Sequence, residues 1–374
     1  MMLFIVMLSI FGLIGLTTGL TPYYSRKSTQ FGVSLPAALQ TGNQIKLYQK
    51  QFFIFHLIAV AILSVPLYFI CQMDYLVMVQ WGGIYLVVGM LALLMMTSFL
   101  FLHMRKKVLT LKSELPKTEL ESAAQEIVVD TAYRKRRLVV PAWLMIVPCL
   151  FIMLFTLVMT YENYDRIPEL FPVHWGVDMT VDKYAEKSIL SVLAVPAFQL
   201  VLLVVMYLSN LSLKKAKQQV SSVNATASVE KSQAFRFAWS VYQWFMLIAL
   251  ELLLVKIQMV MIFAEMSINF PLFIIAFCVI FIGSGLFLSF KYGQGGERYQ
   301  LKKQLKEEKY NTIVHYDDDA HWKLGIFYFN QKDPSLFVES RFGVGMTTNM
   351  ARWETWAMLV GLIVIILLPV LLIN

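Results

Sequence analysis

Residues 82–103 read GGIYLVVGMLALLMMTSFLFLH, and residues 104–107 that follow read MRKK. The first stretch carries no Asp, Glu, Lys or Arg, and about 20 apolar residues suffice to cross a bilayer as a helix. A basic cluster at the end of such a run is the flank that stays on the cytoplasmic side. The pattern recurs along the chain. Apolar runs at Met1–Leu20, Gln51–Met73, Gly82–His103, Leu138–Thr160, Ile189–Ser209, Trp239–Phe263, Ile268–Phe290 and Trp356–Leu372 predict eight transmembrane helices. The expected fold class is therefore an all-α polytopic membrane protein.

Composition agrees. Hydrophobic residues make up 58% of the 374 and charged residues 15%, whereas soluble domains are roughly half apolar and a quarter charged. Lipid must cover what so little charge cannot. The same figures exclude a disordered, collagen-like or disulfide-stapled chain. Cys71, Cys149 and Cys278 lie in or at the edge of apolar runs without metal-ligand spacing and read as small core hydrophobes. The first run has no basic residues ahead of it, and Arg26 and Lys27 follow, which predicts a retained helix rather than a cleaved signal. Gly15 and Gly19 give that helix a small-residue face for close packing.

Lys and Arg set the orientation. With the N-terminus outside, the inner loops 21–50, 104–137, 210–238 and 291–355 hold 28 of them, and the outer loops hold three, all in 161–188. This excess predicts a plasma-membrane protein with both termini outside and its basic loops cytoplasmic. The net charge of +8 is then an orientation signal that suits an anionic leaflet, and no recognition pattern argues for nucleic acid.

The expected organisation is an N-terminal three-helix membrane region (1–137), a membrane domain with an outer loop (138–210), two further helices with their preceding loop (211–290), a cytoplasmic module (291–355) and a last helix (356–374). The module begins at Gly293-Gln-Gly-Gly296. It is expected to continue as a charged helix over Glu297–Tyr310, then as a strand over Trp322–Asn330, a turn at 331–335 and a return strand over Leu336–Phe342.

Three constellations could carry chemistry. The outer loop 161–188 holds Asp165, Arg166, His174, Trp175, Asp182, Tyr184 and Lys187, with six carboxylates against three basic groups. These are candidate ligand-binding residues for a cationic or amphipathic ligand, or else a capped connector with aromatics in the interfacial belt. A metal held by His174, Asp178 and Asp182 is disfavoured because Pro172 and Gly176 oppose the helix that would align them. The sixth helix carries Glu251 and Lys256 in mid-membrane. These lie 140° apart around a helix, so each needs another partner, such as Gln199, Gln243 or Gln258. They read as a relay or polar cavity, or as a buried pin. The inner run His315–His321 contains Asp317, Asp318 and Asp319 and reads as a solvated linker rather than a divalent-cation site. His56 and His103 read as interfacial. No catalytic motif, metal site or cofactor site is evident, so an enzyme is not expected.

The spacing Pro172-x-His174-Trp175, with Asp182, Tyr184 and Lys187 eight, ten and thirteen residues after the His, resembles the domain-of-unknown-function family 1648. Met179 stands where that family usually has Gly. The C-terminal segments Gly293–Gly296, Trp322, Gly325–Asn330, Asp333-Pro334, Phe337-Val338 and Arg341-Phe-Gly343-x-Gly345 resemble family 5808. The first resemblance implies kinship with SdpI-type immunity proteins, which protect Gram-positive bacteria from a secreted peptide. Together they imply a multi-pass bacterial membrane protein that binds, senses or protects, with the lipid bilayer and an extracellular peptide as partners. A secondary transporter or ion-coupled permease using Glu251 and Lys256 is the alternative.

Overall fold

The computed structural model describes residues 2–116, 133–175, 181–217, 225–263, 270–301 and 318–371. All eight apolar runs are helical: α1 (Met2–Gly19), α2 (Asn43–Ile70), α3 (Tyr75–Ser113), α4 (Ala142–Glu162), α5 (Ala194–Lys215), α6 (Ala225–Ile262), α7 (Phe270–Tyr292) and α8 (Trp353–Leu371). Among the described residues, six stretches are long and apolar enough to cross a membrane: Asn43–Ile70, Gln80–Ser113, Ala142–Glu162, Ala194–Lys215, Ala225–Ile262 and Ala276–Gly296. Met7–Gly19 and Trp353–Leu367 form shorter apolar helices. Large apolar side chains such as Val87, Met95, Phe99, Phe151, Ile280 and Val364 stand exposed in mid-helix. That exposure is stable only where hydrocarbon replaces water, and only a helix satisfies its own backbone there. Pro66 and Pro148 sit inside α2 and α4, a position such helices tolerate.

The chain forms two compact units. The first comprises residues 1–136, 216–235 and 288–351, and the second 137–215, 236–287 and 352–374.

In the first unit α1 packs on α2 through the small-residue face read from the sequence. A Cβ at Gly15 would run into the Val60 side chain, and one at Gly19 would meet His56 and Phe53. His56 is fully buried, with Nδ1 against the Phe52 carbonyl and Nε2 against Thr97 Oγ1 at 2.9 Å. It is thus an interhelical tie rather than the expected interfacial residue. Its ring satisfies both nitrogens inside the protein and gains nothing from the interface.

Residues 25–36 are also more than a connector. Thr29–Gln30 (β1) and Val33–Ser34 (β2) form a two-residue hairpin whose turn, Phe31-Gly32, has positive φ at both positions. This is the turn geometry that matches strand twist. Phe31 is fully buried in a core with Phe52, Phe101 and Met104, and its ring stacks with Phe342 at 6.0 Å. Burial of a large aromatic offsets the strain of its left-handed backbone.

The C-terminal module differs from the single hairpin expected. Trp322–Lys323 (β5) pairs with Phe327–Tyr328 (β6), and Phe337–Glu339 (β7) pairs with Met346–Thr348 (β8). Leu324 and Gly325, both with positive φ, reverse the chain before a longer strand can form. Gly343 and Gly345 do the same after β7, so Leu336–Phe342 returns onto β8 rather than onto Trp322–Asn330. A parallel bridge between Tyr328 and Asn349 joins the two hairpins. The turn at 331–335 is present: Asp333 Oδ1 accepts from Ser335 N–H at 2.9 Å. Of the helix expected over Glu297–Tyr310, residues 297–301 are turn and irregular chain rather than helix, and residues 302–310 lie outside the described residues.

The second unit packs α4, α5, α6 and α8, and its Tyr242 hydroxyl, on α6, donates to the Phe281 carbonyl of α7 at 3.0 Å. Met145, Cys149, Leu203 and Leu247 form part of its core.

Candidate functional site

The residues of the 161–188 loop fold as a hairpin rooted on the second unit. After α4 a single 3-10 turn, Tyr164–Arg166, carries the exposed Asp165 and Arg166. Leu170–Trp175 (β3) then pairs antiparallel with Val181–Glu186 (β4). Phe171 and Ala185 point inward and are buried with Ile167, Val192, Val195, Met261 and Ile262. Alternation then turns His174 and Tyr184 outward, Tyr184 being 55% exposed. Pro172 offers no N–H to the ladder, and the register shifts on both sides of His174. That irregularity sets His174 opposite Lys183.

The base of the hairpin is tied twice. Lys187 N–H donates to the Glu169 carbonyl at 2.8 Å. Ser188 and Ser191 cap the following turn reciprocally, each hydroxyl accepting the other's backbone N–H. The Lys187 ammonium lies over the Tyr164 ring at 4.7 Å and the Arg166 guanidinium over Phe263 at 5.9 Å. Trp175 ends β3, and Asp182 and Tyr184 stand on β4. Asp178 lies outside the described residues. His174 lies on a strand, so no helical face aligns it with Asp182 for a metal. Leu170, Tyr184, Ile189 and Leu190 leave an apolar rim around the polar groups.

The intramembrane pair separates. Glu251 is buried on α6, whereas Lys256 is half-buried, and among the described residues no ion pair joins them. Positions 240, 243, 251 and 258 repeat close to whole turns of α6 and so share one face. Along it, Ser240 bonds Asn210 and the Val140 N–H, Gln243 donates to Ser209 at 2.9 Å, and Gln258 donates to Thr160 at 3.0 Å and to the Val192 carbonyl at 3.3 Å. Gln243 and Gln258 are therefore not Glu251's partners. Gln199 of α5 is the polar side chain beside Glu251, yet all four polar side-chain atoms of this pair are buried without a hydrogen bond of normal geometry. Such atoms cost about 1–3 kcal/mol each, so in a native protein they call for an explanation. Asn210 and Ser240 carried no signal in the sequence beyond being polar in apolar runs.

In the described part of the acidic run, Asp318 and Asp319 are not a solvated linker. Asp318 and Asp319 both pair with Arg341, and Asp319 also takes Lys112 at 2.9 Å and the Ser34 N–H at 3.0 Å. Arg341 further donates to Gly32 O and Ser34 Oγ and lies over the Trp322 ring at 4.9 Å. Burial alone would raise the Asp319 pKa, but Arg341, Lys112 and the Ser34 N–H outweigh it and hold it below the usual range. A second buried pair joins Arg26 to Glu339. Gly295, at positive φ, is where a Cβ would strike both partners, which explains the glycine-rich segment that has no phosphate-loop signature. His315 and Asp317 lie outside the described residues, and among the described residues no three His, Cys, Asp or Glu side chains could share a metal. This network needed residues some 300 positions apart, and no local pattern announces it.

Two segments of the chain match known families, in the order the motifs indicated. Residues 151–200 match a domain of unknown function (DUF1648), and residues 331–356 match a family of unknown function (DUF5808). The first match covers most of α4, the whole hairpin and the start of α5. The second covers the Asp333 turn, β7, β8, Asn349 and the start of α8. No curated protein and no solved structure matches the chain.

Proposed function

We propose that this membrane protein is a binding and protection protein of the bacterial plasma membrane, whose β3–β4 hairpin meets a secreted peptide or another envelope stress from outside. The observation that carries the reading is the hairpin's construction. It is anchored by Phe171 and Ala185, closed by the Ser188–Ser191 cap, and presents His174, Lys183 and Tyr184 outward beside an apolar rim. Exposed ion pairs contribute only about 0–1 kcal/mol, so stability alone does not call for this charge-rich surface. The DUF1648 match over the same residues agrees with the motif resemblance that implies kinship with SdpI-type immunity proteins. In this reading all eight helices cross the membrane, both termini are outside, and the 318–351 module is cytoplasmic. No catalytic step is assigned.

The test is survival of a deletion strain carrying His174→Ala, Asp182→Asn or Lys187→Ala under challenge by secreted peptides, with surface binding of labelled peptide and membrane abundance measured in parallel. Loss of protection and binding at normal abundance is expected. Full protection by all three variants would reduce the hairpin to a connector. A second reading, an ion-coupled permease, is favoured by one observation: Glu251 and Gln199 lie side by side, buried in an apolar helix bundle, and among the described residues their polar atoms make no hydrogen bond of normal geometry.

A further inference from the structure

Helix α3 is 39 residues long, about 58 Å at 1.5 Å per residue, and so outruns the ~30 Å hydrocarbon core. Its apolar stretch ends at Leu102, and the next two to three turns carry His103, Arg105, Lys106, Lys107 and Lys112. These basic groups are not equivalent. Arg105 donates to the Gly32 carbonyl at 2.6 Å, and Lys112 pairs with Asp319, so both are engaged by the protein. Lys106 is exposed and Lys107 leans over the Tyr48 ring at 5.5 Å; among the described residues neither has a carboxylate partner. Lys106 and Lys107 line a cavity of about 350 Å³ together with His103, Thr110 and Tyr48 of α2. That volume is within the ~300–1,000 Å³ range of small-molecule sites. Among the described residues Glu114 is the one carboxylate that lines it.

The cavity continues a strip of α3 whose chemistry changes with depth. Met95, Phe99, His103, Lys106 and Thr110 follow one another at three- and four-residue spacing and so share a face. Met95 and Phe99 are 68% and 71% exposed, and the Phe99 ring stacks parallel to His103. An occupant that uses the whole strip must be apolar along Met95 and Phe99 and anionic about two to three turns further on. A soluble phosphate would use only the lower part, and a bare hydrocarbon only the upper.

We propose that this strip and cavity form a binding site for an anionic phospholipid, with its acyl chains along Met95 and Phe99 and its phosphate held by Lys106 and Lys107. Two ammonium groups at headgroup depth attract an anionic headgroup by the same electrostatics that hold polybasic segments to acidic membranes. Glu114 disfavours a second negative charge beside it, so a headgroup with one phosphate and terminal hydroxyls, such as phosphatidylglycerol, fits best.

The test uses the full chain in nanodiscs of phosphatidylcholine doped with phosphatidylglycerol, and native mass spectrometry of the lipid it retains. Lys106→Gln combined with Lys107→Gln should lower retained phosphatidylglycerol by about tenfold or more. The same charge removal at Lys214→Gln and Lys215→Gln, exposed at the end of α5, should change it less than twofold. Glu114→Gln, which needs no loss of a basic group, should raise retention. Millimolar glycerol 1-phosphate should fail to displace the lipid. Equal losses in the two lysine pairs would mean diffuse attraction to the membrane and overturn the site. Displacement by glycerol 1-phosphate would assign the cavity to a soluble anion and overturn the lipid. Should the double variant fail to fold, unchanged or lowered retention in Glu114→Gln would still sink the proposal.

Discussion

Removing the Arg341 guanidinium should open the C-terminal module. Its side chain is 7% exposed and serves five partners: Asp318, Asp319, Gly32 O, Ser34 Oγ and the Trp322 face. Three of those partners retain a second contact in Arg341→Ala. Asp319 keeps Lys112 and the Ser34 N–H, Asp318 keeps Trp322 Nε1 at 3.1 Å, and Gly32 O keeps Arg105. The loss is therefore dominated by two charge-assisted bonds, roughly 1.5–3 kcal/mol each, partly relieved by those contacts. The expected cost is about 3–5 kcal/mol, as for breaking a buried ion pair. Arg341→Lys should cost about half as much, because an ammonium cannot fork to both carboxylates and stack on the indole. Native-state hydrogen exchange of amides in residues 322–349 reads the local opening free energy directly. A double-mutant cycle with Asp319→Asn should give a coupling of at least about 1 kcal/mol. A cost below about 1 kcal/mol, or coupling near zero, would show that the network is a bystander.

Gly32→Ala would place a methyl against the Gly325 backbone at a residue with φ of +71°, so the 25–36 hairpin and the module should come apart under limited proteolysis. Protection equal to wild type would contradict the close approach. Acid should loosen the module as well. Burial raises the Asp333 carboxyl, but Lys217, the Ser335 N–H and the Tyr328 hydroxyl overcome that and bring it down to about 2. A carboxyl lowered on folding contributes stability that is complete above its unfolded pKa of about 4 and is lost as the pH falls through about 2. Exchange in residues 328–349 should rise across that window and rise less in Asp333→Asn. Glu251→Gln removes an uncompensated buried acid and should leave membrane abundance and thermal stability equal or higher. Gln258→Leu breaks bonds to Thr160 and the Val192 carbonyl and should cost about 1–2 kcal/mol. A matching loss in both variants would make Glu251 a structural pin.

The apolar runs were legible because a membrane helix satisfies its own backbone, so local composition decides it. The helical character of the apolar runs, the close α1–α2 contact at Gly15 and Gly19, and the separation of Glu251 from Lys256 all follow from spacing along single helices. The 161–188 loop could be recognised by its Pro-x-His pattern, and its charges by composition. Only the fold revealed that Phe171 and Ala185 root it and that His174 faces Lys183. The module's strand pairing was out of reach because positive φ at Leu324, Gly343 and Gly345 decides where the chain reverses. The same limit hid the Arg26–Glu339 and Arg341–Asp319 pairs. Buried charges are chosen by whichever partner arrives across space. Arg26 and Glu339 are 313 residues apart, and nothing local to either residue specifies the other.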